Sequence, residues 1–254
     1  MNLSQYEKWF DKYTSNIRDH VTPTVLDMVD MKITHTFRVC DHCMRIAQDI
    51  GLTDDEVNLA ALIGLFHDLG RFRQALEYKT MNDRVTGSHA DMSADIFADD
   101  VPKYDLTDTE ISIITDALRY HNLLDIPQTD AQTLLFSQLI RDADKLDILD
   151  LFSDWEENQK FLYLAHVDDD CTPELLAMVL SGKNFKSNLV RNKNDCRLLY
   201  ISMIYDLNFR PSFEWLLAND ILEKFTGVAD GTADADMTAV CRYVTQWIEA
   251  KLQA

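Results

Sequence analysis

The chain contains few glycines and prolines, 7 and 5 among its 254 residues. Both residue types mark the frequent turns of β-rich folds, so their scarcity argues against such a fold. No segment sustains the alternation of apolar and polar residues that is typical of a half-buried strand. Hydrophobic residues make up 46% of the chain, which is enough for a sizeable core. The sequence therefore predicts an all-α protein.

Basic residues are also scarce, because 24 lysines and arginines stand against 43 acidic residues and give a formal net charge of -19. Proteins that bind nucleic acid or an anionic membrane nonspecifically need basic patches, so we expect neither partner. No run approaches the roughly 18 apolar residues of a membrane span. The opening segment Met-Asn-Leu-Ser-Gln-Tyr-Glu lacks the basic and apolar regions of a signal peptide. We expect a cytoplasmic protein, and the sequence does not predict its oligomeric state.

Cysteines are few as well, 5 in number, and their spacing is not that of a disulfide framework. Cys40 and Cys43 form a C-x-x-C motif, but the motif lies within a helical pattern and has no partner pair. A buried pair of small residues is therefore favoured over a redox or zinc site.

Apolar residues recur at the three- and four-residue spacing of helices along most of the chain. Predicted helices cover residues 3–20, 32–50, 54–67, 89–99, 129–152, 155–167, 187–207, 212–225 and 236–252, and a further one runs from Thr107 to near His121. Gly70 is expected to stop the third helix, and residues 71–78 to form a short helix or an irregular segment. No repeat or linker marks a boundary. We predict a single all-α domain over residues 1–254, with a core at about 30–150 and a C-terminal helical extension at about 155–254.

The most informative stretch covers residues 62–72, where an apolar run of helical length ends in His67-Asp68. Neighbouring side chains on a helix point about 100° apart, but beyond the helix end they can converge on one ion. Burying an ionised aspartate among apolar neighbours is costly unless it is paired or bound to a metal. The dipeptide therefore indicates a candidate metal site.

Further candidate ligands lie where predicted helices begin or end. His35 is in the first half of the second helix, and a lone histidine there is usually a core residue. Taken alone, His89 could cap a helix, and His121 could be a cation at a helix C-terminus. Asp144 interrupts one apolar stripe of its predicted helix and Asp142 interrupts the opposite stripe. The pattern does not choose between these two carboxylates.

Together these residues resemble the HD-domain superfamily of metal-dependent phosphohydrolases. The resemblance covers about residues 30–150 and runs through Thr34-His35-Thr36, Leu65-Phe66-His67-Asp68-Leu69-Gly70-Arg71 and Asp142-Ala143-Asp144-Lys145-Leu146-Asp147. It implies an HD-domain-like helical bundle in which His35, His67, Asp68 and Asp144 bind a metal ion. It also chooses Asp144 over Asp142.

Members of the superfamily with two further histidines hold two ions, and His89 and His121 occupy those places in order. The resemblance then implies a second ion on His89, His121 and a bridging Asp68. Imidazole and carboxylate ligands suit Mn, Fe, Co, Ni or Zn, with Mg as a further candidate. No thiolate belongs to the set, which argues against a structural zinc site. The implied reaction is attack on phosphorus by a metal-activated hydroxide.

The resemblance also implies catalytic roles. Asp68 is the ligand common to both ions, and Arg71 and Lys145 are candidates for phosphate contacts, with structural ion pairs as the alternative. The motifs of guanosine tetraphosphate hydrolases and of cyclic dinucleotide phosphodiesterases are missing. The expected substrate is therefore a small phosphorylated metabolite or nucleotide.

Two other functions fit the same resemblance. An HD-fold di-iron oxygenase would use the same ligand set. A non-catalytic nucleotide-binding HD module is the second alternative, but retention of all six ligands argues against it.

Overall fold

The computed structural model describes residues 2–154 and 170–253. These residues form helices and loops, with no strand among them, so the all-α prediction is confirmed. They divide into two compact units, Met1–Asp144 and Lys145–Ala254. The helix predicted over residues 155–167 lies outside the described residues, and the single domain stays a prediction. In the described part of the chain, no helix has both the length and the apolarity that crossing a membrane requires.

The first unit is an assembly of helices around a buried central one. Its elements are α1 (Leu3–His20), α2 (Pro23–Asp49), α3 (Asp54–Phe66), α4 (Leu69–Tyr78), α5 (Asp83–Thr86), α6 (His89–Asp99), α7 (Asp108–Tyr120) and the first part of α8 (Ala131–Ser153). α3 packs against α1, α2 and α7, and α6 packs against α4 and α7. Every residue of α3 from Leu59 to Phe66 is buried. The end of α3 therefore delivers His67 and Asp68 to the interior of the unit.

Local capping explains where several of these helices begin. Thr53 and Thr107 each form a capping box with the glutamate three residues later. The Ser88 hydroxyl accepts a hydrogen bond from the backbone N–H of Asp91 and caps α6. α2 begins earlier than predicted, at Pro23 rather than near residue 32. Proline is tolerated in the first helical turn because its missing N–H would have no partner there.

The prediction that Gly70 stops a helix is wrong, because Gly70 lies in the first turn of α4. A Cβ at this position would lie 2.1 Å from the carbonyl oxygen of His89 and 2.8 Å from Cβ of Met92. The glycine is therefore required by the close approach of α4 to α6. Residues 71–78 are helical, so the short helix is confirmed and the irregular segment is not.

The second unit contains the end of α8 and shorter elements. These are α9 (Pro173–Val179), α10 (Lys193–Ser202), α11 (Arg210–Ala218), α12 (Ile221–Thr226) and α13 (Ala235–Gln253), with 3-10 turns at Ser187–Leu189 and Met203–Asp206. The continuous helices predicted over residues 187–207 and 212–225 are wrong, because both are interrupted. Asn192 caps α10 from within the first range, and Asp220 takes a left-handed conformation (φ 52°) within the second.

Candidate metal centre

Six side chains of the first unit converge, four from helix ends or junctions and two from the interior of helices α2 and α8. His35 comes from α2, His67 and Asp68 from the junction of α3 and α4, His89 from the start of α6, His121 from the end of α7, and Asp144 from α8. The first five are at most 5% exposed, whereas the side chain of Asp144 is 18% exposed. Six polar side chains buried together require mutual pairing or a bound ion.

The first group of donors surrounds Nε2 of His35. This atom lies 3.2 Å from Nε2 of His67, 3.2 Å from Oδ1 of Asp144 and 3.5 Å from Oδ2 of Asp68. Nε2 of His67 lies 3.7 Å from Oδ1 of Asp144 and 3.5 Å from Oδ2 of Asp68. Donors bound to one ion at about 2.1 Å are about 3.0 to 3.4 Å apart in octahedral or tetrahedral geometry. The two distances of 3.2 Å fall within this range, and the distances of 3.5 to 3.7 Å exceed it by at most 0.3 Å, so small side-chain adjustments would bring this group onto a divalent ion.

The second group contains His89, His121 and the other oxygen of Asp68. Nε2 of His89 lies 3.0 Å from Nε2 of His121 and 3.5 Å from Oδ1 of Asp68. Asp68 thus faces the first group with Oδ2 and the second group with Oδ1. One carboxylate with an oxygen toward each of two donor groups has the arrangement of a ligand that bridges two ions.

Hydrogen bonds at the far side of each ring fix the tautomers of three histidines. Nδ1 of His67 donates to the carbonyl oxygen of Gly64, and Nδ1 of His121 donates to that of Leu118, both at 2.7 Å. Each carbonyl lies three residues earlier, so the same helix-end arrangement occurs twice. Because Nδ1 carries the proton, Nε2 of each neutral ring presents a lone pair toward the donor groups.

Asp83 fixes the proton of His89 on Nδ1 in the same way, and the sequence did not predict this role. Its Oδ2 accepts a hydrogen bond from Nδ1 of His89 at 2.7 Å, which is a carboxylate–histidine pair of the kind that orients metal ligands. Its Oδ1 accepts from Arg71 at 2.9 Å and from Gln74 at 2.8 Å. Asp83 opens the four-residue helix α5 in a polar segment without apolar periodicity. No spacing in the sequence therefore singled it out.

The charge state of the facing His89 and His121 rings shows whether a cation suits the position between their Nε2 atoms. Burial, together with the nearby Arg71 guanidinium, lowers the pKa of His89. Burial and the neighbouring histidines lower the pKa of His121 to about 3. Both rings are therefore neutral near pH 7, and both donate through Nδ1. Two nitrogen lone pairs 3.0 Å apart repel each other, and a cation between them removes that repulsion.

The first donor group has the opposite electrostatics. Burial favours neutral His67, but Asp68 and Asp144 outweigh burial and raise its pKa to about 10. Burial also favours the neutral form of Asp68 and of Asp144, which for a carboxyl group means a raised pKa. For Asp68 the charges of Lys32 and His67 outweigh burial, and for Asp144 the hydrogen bonds from His35 and His67 do so. Both pKa values lie well below their usual range. In the metal-free protein a proton on His67 therefore occupies the place that an ion can take.

The two predicted phosphate-contact residues have different surroundings. Arg71 donates to Asp83 and to the carbonyl oxygen of Met81, while its buried Nε has no hydrogen-bond partner and lies 3.7 Å from Oδ1 of Asp68. Lys145 forms an ion pair of 2.7 Å with Asp206 in the second unit. Each residue therefore has an ion-pair partner, Asp83 for Arg71 and Asp206 for Lys145, as the structural alternative requires. The phosphate contacts stay predictions.

Of the two carboxylates that the sequence pattern left open, Asp144 belongs to a donor group. Asp142 is fully buried in the same helix and belongs to neither group among the described residues. Arg141, one turn before Asp144, donates to the carbonyl oxygens of Tyr120, Leu123 and Leu124. Helix α8 therefore supplies one ligand and also holds the segment that follows His121.

Comparison with known proteins gives one family. Residues 33–149 match the family model described as HD domain. The match spans all six donors and includes the junction of α3 and α4. No curated protein and no solved structure matches the chain significantly.

Proposed function

We propose that this member of the HD domain family is a metal-dependent phosphohydrolase. Its substrate would be a small phosphorylated metabolite or nucleotide, cleaved at a phosphoester or phosphoanhydride bond. The observation that carries this proposal is the placement of Asp68, whose two oxygens face two separate groups of donors. The HD domain match over residues 33–149 supports it, because most members of that family are metal-dependent hydrolases.

The donor set divides between two divalent ions. His35, His67, Asp68 and Asp144 would hold one, and His89, His121 and Asp68 would hold the other. Bound there, such ions supply a Lewis acid that lowers the pKa of coordinated water to roughly 7 and offsets charge on phosphoryl oxygens. Mn, Fe, Co, Ni or Zn suits this set, with Mg as a further candidate.

The chain's own residues prepare this chemistry in two ways. The carbonyls of Gly64 and Leu118 and the carboxylate of Asp83 keep the Nδ1 protons in place, so that Nε2 of each ring is available as a ligand. The carboxylates of Asp68 and Asp144 bring two negative charges, fewer than the charge of two divalent ions. The centre therefore keeps an excess of positive charge for an anionic substrate.

Arg71 is the better placed of the two proposed phosphate contacts. Its Nε is buried without a hydrogen-bond partner, 3.7 Å from Oδ1 of Asp68, and can donate to an oxygen bound at the centre. The proposed role of Lys145 would require it to exchange its pair with Asp206. We further expect a cytoplasmic location. Because the net charge is -19, we expect neither nucleic acid nor a membrane as a partner.

A phosphate-release screen tests the proposal. The panel holds nucleoside mono-, di- and triphosphates, cyclic nucleotides and dinucleoside polyphosphates, each assayed with Mn, Mg, Co and Ni. We expect release from at least one class that chelator abolishes and metal restores. A mixed-valence di-iron signal with no hydrolysis of any compound would contradict the proposal and favour the oxygenase.

A further inference from the structure

Lys32 lies at the centre, although no sequence motif singled it out. It precedes His35 by three residues on α2, so the two side chains share a helix face. Its Nζ lies 2.6 Å from Oδ2 of Asp68, the oxygen that also faces His35 and His67. The side chain of Lys32 is 16% exposed, whereas that of Asp68 is 3% exposed. The ammonium group therefore sits between the buried donors and solvent.

The ammonium group of Lys32 pairs with Asp68, which is also a proposed ligand of the metal ions. Among the described residues, Asp68 is the only acidic group within ion-pair distance of Lys32. If Asp68 were to hold divalent ions, its carboxylate would retain little charge for the ammonium group, and the ions would repel that group. A partly buried ammonium group then needs another anion.

A substrate phosphate would be that anion. Two divalent ions carry four positive charges against the two carboxylates of the centre, and Lys32 adds one more. A phosphoryl oxygen held at the ions would lie near Lys32, because Nζ is already within hydrogen-bond distance of a shared ligand oxygen. The partly exposed side chains of Lys32, Asp144 and Arg71 mark the side from which the phosphate can approach.

We propose that Lys32 is a phosphate-binding residue of this centre, which pairs with Asp68 in the metal-free protein and with a substrate phosphoryl oxygen when ions are bound. This inference rests on the proposed function. It assigns to Lys32 the contact that the sequence suggested for Lys145. A purely structural Lys32 would instead serve to hold Asp68 in position for the ions.

These two roles predict opposite effects on cation binding. In Lys32→Met, loss of a positive charge beside the ligands should leave Mn²⁺ affinity unchanged or raise it. Binding of inorganic phosphate to the Mn²⁺-loaded protein should weaken about tenfold or more, because a hydrogen bond from a charged donor is lost. Calorimetric titration of metal-stripped protein with Mn²⁺, and then of loaded protein with inorganic phosphate, measures both.

Further variants make the result specific. Lys32→Arg keeps the charge and should keep phosphate binding within a few-fold of wild type. Lys32→Gln, which also removes the charge, replaces Lys32→Met if that variant fails to fold, with the same expected loss of phosphate binding. Lys12→Met removes an exposed lysine from α1 and should change neither affinity. Phosphate binding unchanged in Lys32→Met, or weakened Mn²⁺ binding, would overturn the proposal.

The wild-type titrations separate this inference from the proposed function. Binding of Mn²⁺ and phosphate by a protein that hydrolyses nothing in the panel would refute the hydrolase and leave the role of Lys32 measurable. A wild-type protein that takes up no Mn²⁺, or that takes it up without binding phosphate, would refute the role of Lys32.

Discussion

At the scale of single residues, Asp68 lies between the two donor groups. It is the only one of the six donors with an oxygen toward both groups. Asp68→Ala should reduce hydrolysis to background and lower the number of bound ions per chain. The helical far-UV circular dichroism should persist, since the helices around the centre are held by their own apolar contacts. Turnover near the wild-type rate in this variant would refute the assignment.

Asp83 should act through His89 rather than on the substrate. Asp83→Asn removes the charge of the hydrogen-bond acceptor at Nδ1 of His89 and should weaken binding of one ion about 10- to 100-fold, with the other ion little affected. Titration of metal-stripped protein with Mn²⁺ measures the two steps.

Asp95→Asn is the matched control for that experiment. Asp95 lies on the same helix as His89 but pairs with Arg119 at the surface, so its removal should change neither step. Equal effects of the two substitutions would contradict an orienting role for Asp83.

The difference between predicted and unpredicted residues has a physical basis. His67, Asp68 and Asp144 interrupt apolar patterns, and a buried polar residue within such a pattern is informative. Asp83 lies in a polar segment where another aspartate is unremarkable, and only its contact with His89 distinguishes it. Lys32 could have been found, because a lysine three residues before a candidate ligand shares its helix face.

At the scale of secondary structure, Gly70 sets how closely α4 approaches α6. In Gly70→Ala the new methyl group would overlap the carbonyl oxygen of His89, which is backbone and must be displaced. We expect a loss of about 1–3 kcal/mol in the free energy of unfolding, measured by urea denaturation. Displacement of His89 should also weaken binding of one ion.

Gly51→Ala provides the comparison. Its Cβ would meet nothing within 4 Å, but its φ of +81° strains any other residue. It should lower stability through the backbone alone and leave ion binding intact. Ion binding in Gly70→Ala equal to that of Gly51→Ala would contradict the role of the close approach.

Helix boundaries could be predicted where caps decide them. α6 begins after Ser88 and α7 after Thr107, as predicted, because each cap satisfies a backbone donor of the first turn. The break at Asp220 was missed, since apolar residues continue on both sides of it. The break at Asn192 lies in a run of five polar residues, 191–195, and was missed because the predicted helix was drawn across that run. Gly70 was misjudged because a helix stop and a close helix approach both favour glycine, and only the tertiary contact distinguishes them.

At the scale of the whole molecule, the buried histidines predict how the stability of the metal-free protein depends on pH. The pKa of His67 is raised to about 10 in the folded protein, so its protonation stabilises the fold. This stability is fully present below the pKa that histidine has in the unfolded chain, and it is lost as the pH rises toward 10. The pKa of His121, lowered to about 3, means that the unfolded chain binds more protons below about pH 6.5. Stability is therefore lost on that side as pH falls.

Chelator-treated protein should thus be most stable near about pH 6.5 and less stable at about pH 5 and about pH 8.5. The lowered pKa values of Asp68 and Asp144 add a further loss only below about pH 5, where aspartates of the unfolded chain begin to bind protons. Urea denaturation at the three pH values measures the profile. Excess Mn²⁺ should flatten the alkaline side, because an ion replaces the proton on His67. Stability that rises steadily from about pH 6.5 to about pH 9 in the metal-free protein would contradict this assignment.

The central claim is that six side chains of the first unit hold two ions that share Asp68. Electron paramagnetic resonance of the protein titrated with Mn²⁺ tests it most directly, because two Mn²⁺ ions bridged by one carboxylate are magnetically coupled. We predict that two equivalents give the multiline spectrum of a coupled pair, and that Asp68→Ala abolishes it. Two equivalents that give only the spectrum of isolated Mn²⁺ in the wild-type protein would contradict the account.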